Sequence, residues 1–140
     1  MMKIKLKKQS KIYIQDWGTY PNQTLVCSGV NYDSIISYCR KNKIKIDISS
    51  KEKLLKQSFE INYGLAIVFR DNSSLLWVKD YKNNWFWVEN LMHEIHHLVF
   101  MLSDNRNMSN EMEAQAYQFC YLFKQIRKRL GETKKESPVL

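Results

Sequence analysis

The stretch that most limits what this chain can become is His93-Glu94-Ile95-His96-His97, set in an apolar run from Leu91 to Leu102. Its first, second and fifth residues spell His-Glu-x-x-His. On a helix, residues four apart sit one turn above each other on one face. His93 and His97 can therefore aim two imidazoles at a single metal ion. Glu94 is rotated roughly 100° from His93. That is too far round to ligate at the same vertex, but near enough to reach a water on the ion. A zinc ion with three protein ligands and one open position lowers the pKa of such a water to about 7. A carboxylate beside it takes the proton and returns it to a leaving amine. The spacing predicts a hydrolytic zinc site of metallopeptidase type, with His93 and His97 as ligands and Glu94 as general base. All three histidines of the chain lie inside this pentad, so none is spent elsewhere. The apolar flanks predict a buried helix over about 88–102. The bland reading of the same residues is a surface helix with coincidental histidines, or a buried histidine satisfied by core hydrogen bonds.

A catalytic zinc usually takes a third protein ligand. No histidine remains, so a carboxylate on the last predicted helix is expected. Glu111 and Glu113 are the choices, and two helical positions set them about 200° apart. Glu113, Ala116, Tyr117 and Cys120 recur at i, i+3, i+4 and i+7, a face that beyond Glu113 holds only small or apolar residues. Glu111 shares its face with Gln115 and Gln118, which read as solvent-facing. A carboxylate on an apolar face needs a partner, and zinc is the strongest on offer. Glu113 is therefore expected as the third ligand; otherwise it serves the positive end of its helix. Tyr117, one turn on, is either a hydrogen-bond partner of a ligand or a core residue. His96 is expected at the edge of the site or in solvent, with transition-state stabilisation as its candidate role.

With 140 residues the chain reads as one domain over 1–131, followed by a disordered tail over 132–140 that contains Pro138. A hydrophobic content of 44% is enough for an ordinary core. No run approaches the roughly 18 apolar residues of a membrane span. The basic N-terminus lacks the apolar core of a signal peptide, so an intracellular, cytoplasmic protein is expected. Cys27, Cys39 and Cys120 contain no C-x-x-C pair and read as reduced, buried thiols. The net charge of +8 allows an acidic or nucleic-acid partner. No nucleic-acid motif accompanies it, and a lysine-rich solubilising surface is the preferred explanation.

Along the chain, residues 1–10 read as a frayed or edge segment. Lys11 to Gln15 and Thr24 to Cys27 read as a hairpin around the turn residues Trp17 to Asn22. Asn31 is expected to cap a helix over Tyr32 to Lys41, buried through Ile35, Ile36, Tyr38 and Cys39. Ser49 to Glu52 has capping-box spacing and opens a short helix to about Gln57, anchored by Leu54 and Leu55. Glu60 to Arg70 reads as a strand covered on both faces, returning through Asp71 to Ser74 into Leu75 to Val78. Trp85-Phe86-Trp87 is either a substrate platform or packing for the helix that follows. A last helix runs from a cap at Ser109 or Asn110 to about Leu130, stopped by Gly131. The fold expected is α+β: a short antiparallel β-sheet packed against the His-Glu-x-x-His helix and a long C-terminal helix.

Leu91 to Phe119 resembles the zinc core of small gluzincin-like metallopeptidases, in which a His-Glu-x-x-His helix precedes a helix bearing Glu-Ala. It is more closely similar to small phage-encoded proteins of minigluzincin type, in which Glu-Ala-x-Ala-Tyr follows. Here that segment reads Glu113-Ala114-Gln115-Ala116-Tyr117. A more distant similarity is to ImmA/IrrE-type peptidases, which cleave repressors, although their Ala-Asn and Phe-Ala pattern is absent after Glu113. The resemblance implies one Zn²⁺ held by His93, His97 and Glu113, with Glu94 as base, a protein or peptide substrate, and a host-cytoplasmic setting if phage-encoded. Two functions of different class follow. One is a zinc-dependent peptidase. The alternative is a non-catalytic zinc-containing binding protein whose basic surface meets a protein or nucleic acid. A hydrolase of non-peptide amides is a lesser variant of the first.

Overall fold

The protein is described by a computed structural model over residues 11–18, 20–105 and 112–131, with the side chains of 103–105 and 112–113 left out. The readings made for residues 1–10, for the cap at 109–110 and for the tail at 132–140 lie outside the described residues.

Two hairpins make the sheet. β1 (Lys11–Trp17) pairs with β2 (Tyr20–Ser28), and β3 (Gly64–Val68) pairs with β4 (Ser74–Val78), both antiparallel. They join along β2 and β4, giving one sheet of order β1-β2-β4-β3. That central contact is parallel, with Thr24 opposite Ser74 and Ser28 opposite Val78. The sheet is therefore mixed, not antiparallel as expected. Alternation and turn residues report each hairpin locally. The join between hairpins depends on the long connection between them, and parallel neighbours require one. Here it contains α1 (Tyr32–Lys41), a 3₁₀ turn (Ser49–Lys51) and α2 (Glu52–Ile61).

Period-two alternation sends β4 side chains to two separate cores. Leu75 and Trp77 meet Leu25, Ile35 and Leu55 beneath α1 and α2. Leu76 and Val78 meet Val26, Leu91, Ile95, Leu98, Leu122 and Ile126 beneath α3 (Trp85–Asn105) and α4 (Met112–Gly131). The sheet is thus sandwiched between two helical layers. The strand buried along its whole length is β4; β3, expected in that role, stands at the edge and is mostly half-buried. Its apolar run begins late because Glu60 and Ile61 close α2 rather than open a strand.

Local chemistry accounts for several boundaries. Asn31 Oδ1 accepts the Ser34 N–H at 2.9 Å and starts α1. A register shift between Asp16 and Trp17 takes up Pro21 and Asn22, where a proline in β2 removes no ladder bond. The capping box at Ser49 is not formed, since the residue before α2 is Lys51, without a side-chain cap. Leu55 is buried but Leu54 is exposed; the second anchor of α2 is Phe59, stacked on Trp77 with centroids 4.0 Å apart. Cys27 and Cys39 are buried free thiols, whereas Cys120, expected to be buried, is exposed.

Candidate metal and peptide site

α3 begins three residues earlier than the apolar pattern suggests, because Asn84 Oδ1 accepts the Trp87 N–H at 3.1 Å. Val88, Leu91, Ile95, Leu98 and Leu102 are buried at alternating spacings of three and four. That stripe faces the sheet and leaves His93, His96, His97 and Phe100 on the outer side, all exposed. The expectation of a buried helix thus holds for one face only. The buried stripe excludes both candidate ligands, which open to solvent instead.

The two imidazoles converge. His93 Nε2 and His97 Nε2 lie 3.1 Å apart, with perpendicular rings whose centroids are 4.5 Å apart. Two nitrogens at ordinary zinc distance and tetrahedral angle are roughly 3.3–3.4 Å apart. The pair therefore fits one ion with a small ring adjustment and no change in α3. The same separation also suits an N–H···N hydrogen bond between the rings. Burial and the neighbouring His93 and His96 hold His97 below the usual histidine range, which favours the neutral, ligating form.

Glu94 turns inward from the same helix. It is only 7% exposed, and burial raises its carboxyl above the usual glutamate range, partly offset by the nearby His93. Its resting place is the start of β3. A Cβ on Gly64 would meet Glu94 Cγ at 2.9 Å and Oε2 at 3.0 Å. The missing side chain of Gly64 is what lets the carboxylate lie against the sheet edge. Hydropathy does not single out Gly64; the available signal is that a lone glycine in a strand marks close approach of another group.

The third position is less complete. Glu113 stands in the first turn of α4, but its side chain lies outside the described residues, as does the whole of Glu111. Among the described residues no group of three His, Cys, Asp or Glu side chains gathers around one point. The faces of α4 differ from those the sequence predicts. Gln118, read as solvent-facing, is 2% exposed and donates from Nε2 to the Trp17 carbonyl at 3.0 Å. Tyr117 is 73% exposed and is not a core residue. Ala116 and Cys120 are exposed with it. A buried amide satisfied by a backbone carbonyl is invisible to hydropathy, and small or apolar residues do not by themselves mark a buried face. His96 sits on the outer side of α3, its ring 6.4 Å from that of His97. With Phe100, Ala116 and Phe119 it lines a groove of about 380 Å³ between α3 and α4.

Comparison with protein-family models, curated proteins and solved structures finds no match to this chain.

Two further groups lie on the Gly64 side of Glu94. β3 is an edge strand. Lys79 N donates to Tyr63 O and Phe69 N to Ser73 O, so the odd-numbered residues between them also turn inward to β4. The N–H and C=O groups of Gly64, Ala66 and Val68 consequently point outward, with no strand beyond them among the described residues. Beside this edge, Tyr63, Phe86 and Trp87 form an edge-to-face trio. Trp85 and Phe86 are exposed, so they do not pack α3 onto the sheet; Trp87 is half-buried.

Proposed function

We propose that this protein is a zinc-dependent peptidase. The convergence of His93 Nε2 and His97 Nε2 at 3.1 Å, with the buried Glu94 one residue on, carries this reading. Both imidazoles are presented by one rigid helix, and both are open to solvent on the side from which a substrate would arrive. In the reading, Glu113 completes the donor set from α4. Zinc, when bound, supplies a Lewis acid and a water acidified to a pKa of about 7.

The chain's own groups divide the remaining work. The outward N–H and C=O groups of Gly64, Ala66 and Val68 hold an extended peptide by strand addition. That aligns a peptide carbonyl alongside Glu94, which lies against Gly64. A carboxylate with a raised pKa is a better proton acceptor than an ordinary one and a competent donor afterwards. Glu94 takes a proton from the attacking water and delivers it to the departing nitrogen. Burial of Glu94 keeps that proton from exchanging freely with bulk water.

Glu94→Gln provides the test. The variant is expected to keep one equivalent of zinc by elemental analysis and to lose hydrolysis of a casein or peptide-library substrate. Undiminished hydrolysis by zinc-loaded Glu94→Gln protein would remove Glu94 as the base. Absence of metal in the wild-type protein after zinc reconstitution would sink the reading altogether.

A further inference from the structure

Seven large hydrophobic side chains are exposed among the described residues. Five of them are aromatic: Tyr63, Trp85, Phe86, Phe100 and Tyr117. All five lie on α3, on α4, or on the residue before β3. Exposed single apolar residues need no explanation, but their concentration around one element does. Phe86, His93 and Phe100 are spaced by seven residues, which keeps them on one stripe of α3 with about 20° of drift per step. Phe86 and Phe100 thus extend the line of His93 to either side.

The N-terminal end of that line is the more organised. Tyr63 and Phe86 are 5.2 Å apart at 87°, Tyr63 and Trp87 5.9 Å at 83°, and Phe86 and Trp87 5.1 Å at 86°. Such mutually perpendicular rings hold one another in place, so little side-chain freedom is lost when something docks on them. Tyr63 directly precedes Gly64, the first outward-bonding residue of the open β3 edge. Phe86 is seven residues before His93, roughly 10.5 Å along the helix. An extended chain covers that distance in about three residues.

We propose that the Tyr63–Phe86–Trp87 cluster is a specificity subsite. It takes a bulky aromatic or aliphatic side chain of an extended peptide, about three residues from the bond that is cut. The open backbone groups of β3 select an extended occupant, and the rings select its side chain. The inference rests on the peptidase reading for its register, though not for its binding chemistry.

The experiment uses two measurements on the full chain. First, a synthetic array of random dodecapeptides is probed with zinc-loaded Glu94→Gln protein. Bound peptides should be enriched in Phe, Tyr, Trp, Leu or Met. Phe86→Ala and Tyr63→Ala, each added to Glu94→Gln, should bind those peptides at least about tenfold more weakly, with far-ultraviolet circular dichroism and zinc content unchanged. No binding, binding without apolar enrichment, or enrichment that survives both substitutions would overturn the subsite. So would a dimer that Phe86→Ala converts to monomer while peptide selection stays the same, because the patch would then be an interface between copies. Second, the wild-type protein is given the selected peptides in solution. Cleavage about three residues from the apolar position supports the register, and cleavage at unrelated positions overturns it. Selective binding with no cleavage by wild-type protein leaves the subsite standing and sinks the peptidase reading.

Discussion

Glu94 and Gly64 are in contact across two elements: a Cβ at position 64 would fall 2.9 Å from Glu94 Cγ. Since the clash is with a movable side chain and not with backbone, Gly64→Ala should fold. Alanine also removes some of the chain entropy that glycine costs, so stability should stay within about 1 kcal/mol of wild type. The carboxylate, however, must move. We expect zinc content to be retained and peptide hydrolysis to fall by at least about tenfold, as misplacement of a reacting group commonly does. Urea denaturation and initial rates, measured on the same preparation, check both halves.

Glu113 and Glu111 differ in what they should do to metal content. Glu113→Ala, like His93→Ala or His97→Ala, is expected to lower bound zinc well below one equivalent. Glu111→Ala should leave it near one. Equal zinc in Glu113→Ala and wild-type protein would require another third ligand.

Gln118 is a structural residue, despite its polarity. Its Nε2 donates to Trp17 O inside the protein, joining α4 to the end of β1. Gln118→Leu keeps similar volume but leaves that carbonyl without its donor. The expected loss is about 1–3 kcal/mol in unfolding free energy, with no change in zinc affinity.

Asp16 and Tyr121 set an acid-side dependence of stability. The Tyr121 hydroxyl donates to Asp16 Oδ1 at 2.6 Å, and this bond, with the Gly18 N–H, holds the Asp16 carboxyl below its usual range. A depressed folded pKa contributes stability above the unfolded value, near pH 4, and loses it as pH falls through the folded one. The same bond raises Tyr121, so the contribution is present up to the unfolded tyrosine pKa near 10 and fades above it. The Tyr121 ring is half-buried, but the hydrogen bond itself is exposed, so Tyr121→Phe should cost under about 1 kcal/mol at pH 7. The difference from wild type should shrink in melts at pH 3.

Much of this architecture was legible in the residues, and the failures share a cause. The β1–β2 and β3–β4 hairpins, α1 with its Asn31 cap, and the pentad on a helix all follow from periodicity and turn chemistry acting over short spans. The parallel contact of β2 with β4 does not, because no local pattern records which hairpin lies beside which. Gln118 reads as solvent-facing because hydropathy ranks an amide as exposed, and a core place is open to Tyr117 because hydropathy ranks a phenol as coverable. Trp17 O overrules the first ranking. The site shows the same division. His93, Glu94 and His97 are candidates by spacing alone, whereas Gly64 and the Tyr63–Phe86–Trp87 cluster arise from contacts between elements more than 20 residues apart.

The parallel seam between β2 and β4 also governs how a nascent chain can mature. Each hairpin can zip as soon as its own residues leave the ribosome, but the inner edge of β2 stays unpaired until Val78 has been made, some 50 residues after Ser28. Docking one preformed hairpin against the other closes the longest loop in the sheet, and distant pairings of this kind slow folding. Until that step, β2 offers Leu25, Val26 and Cys27 to any passing strand. Substitutions along this seam should therefore reduce the yield of newly synthesised protein more than they reduce the stability of molecules already folded.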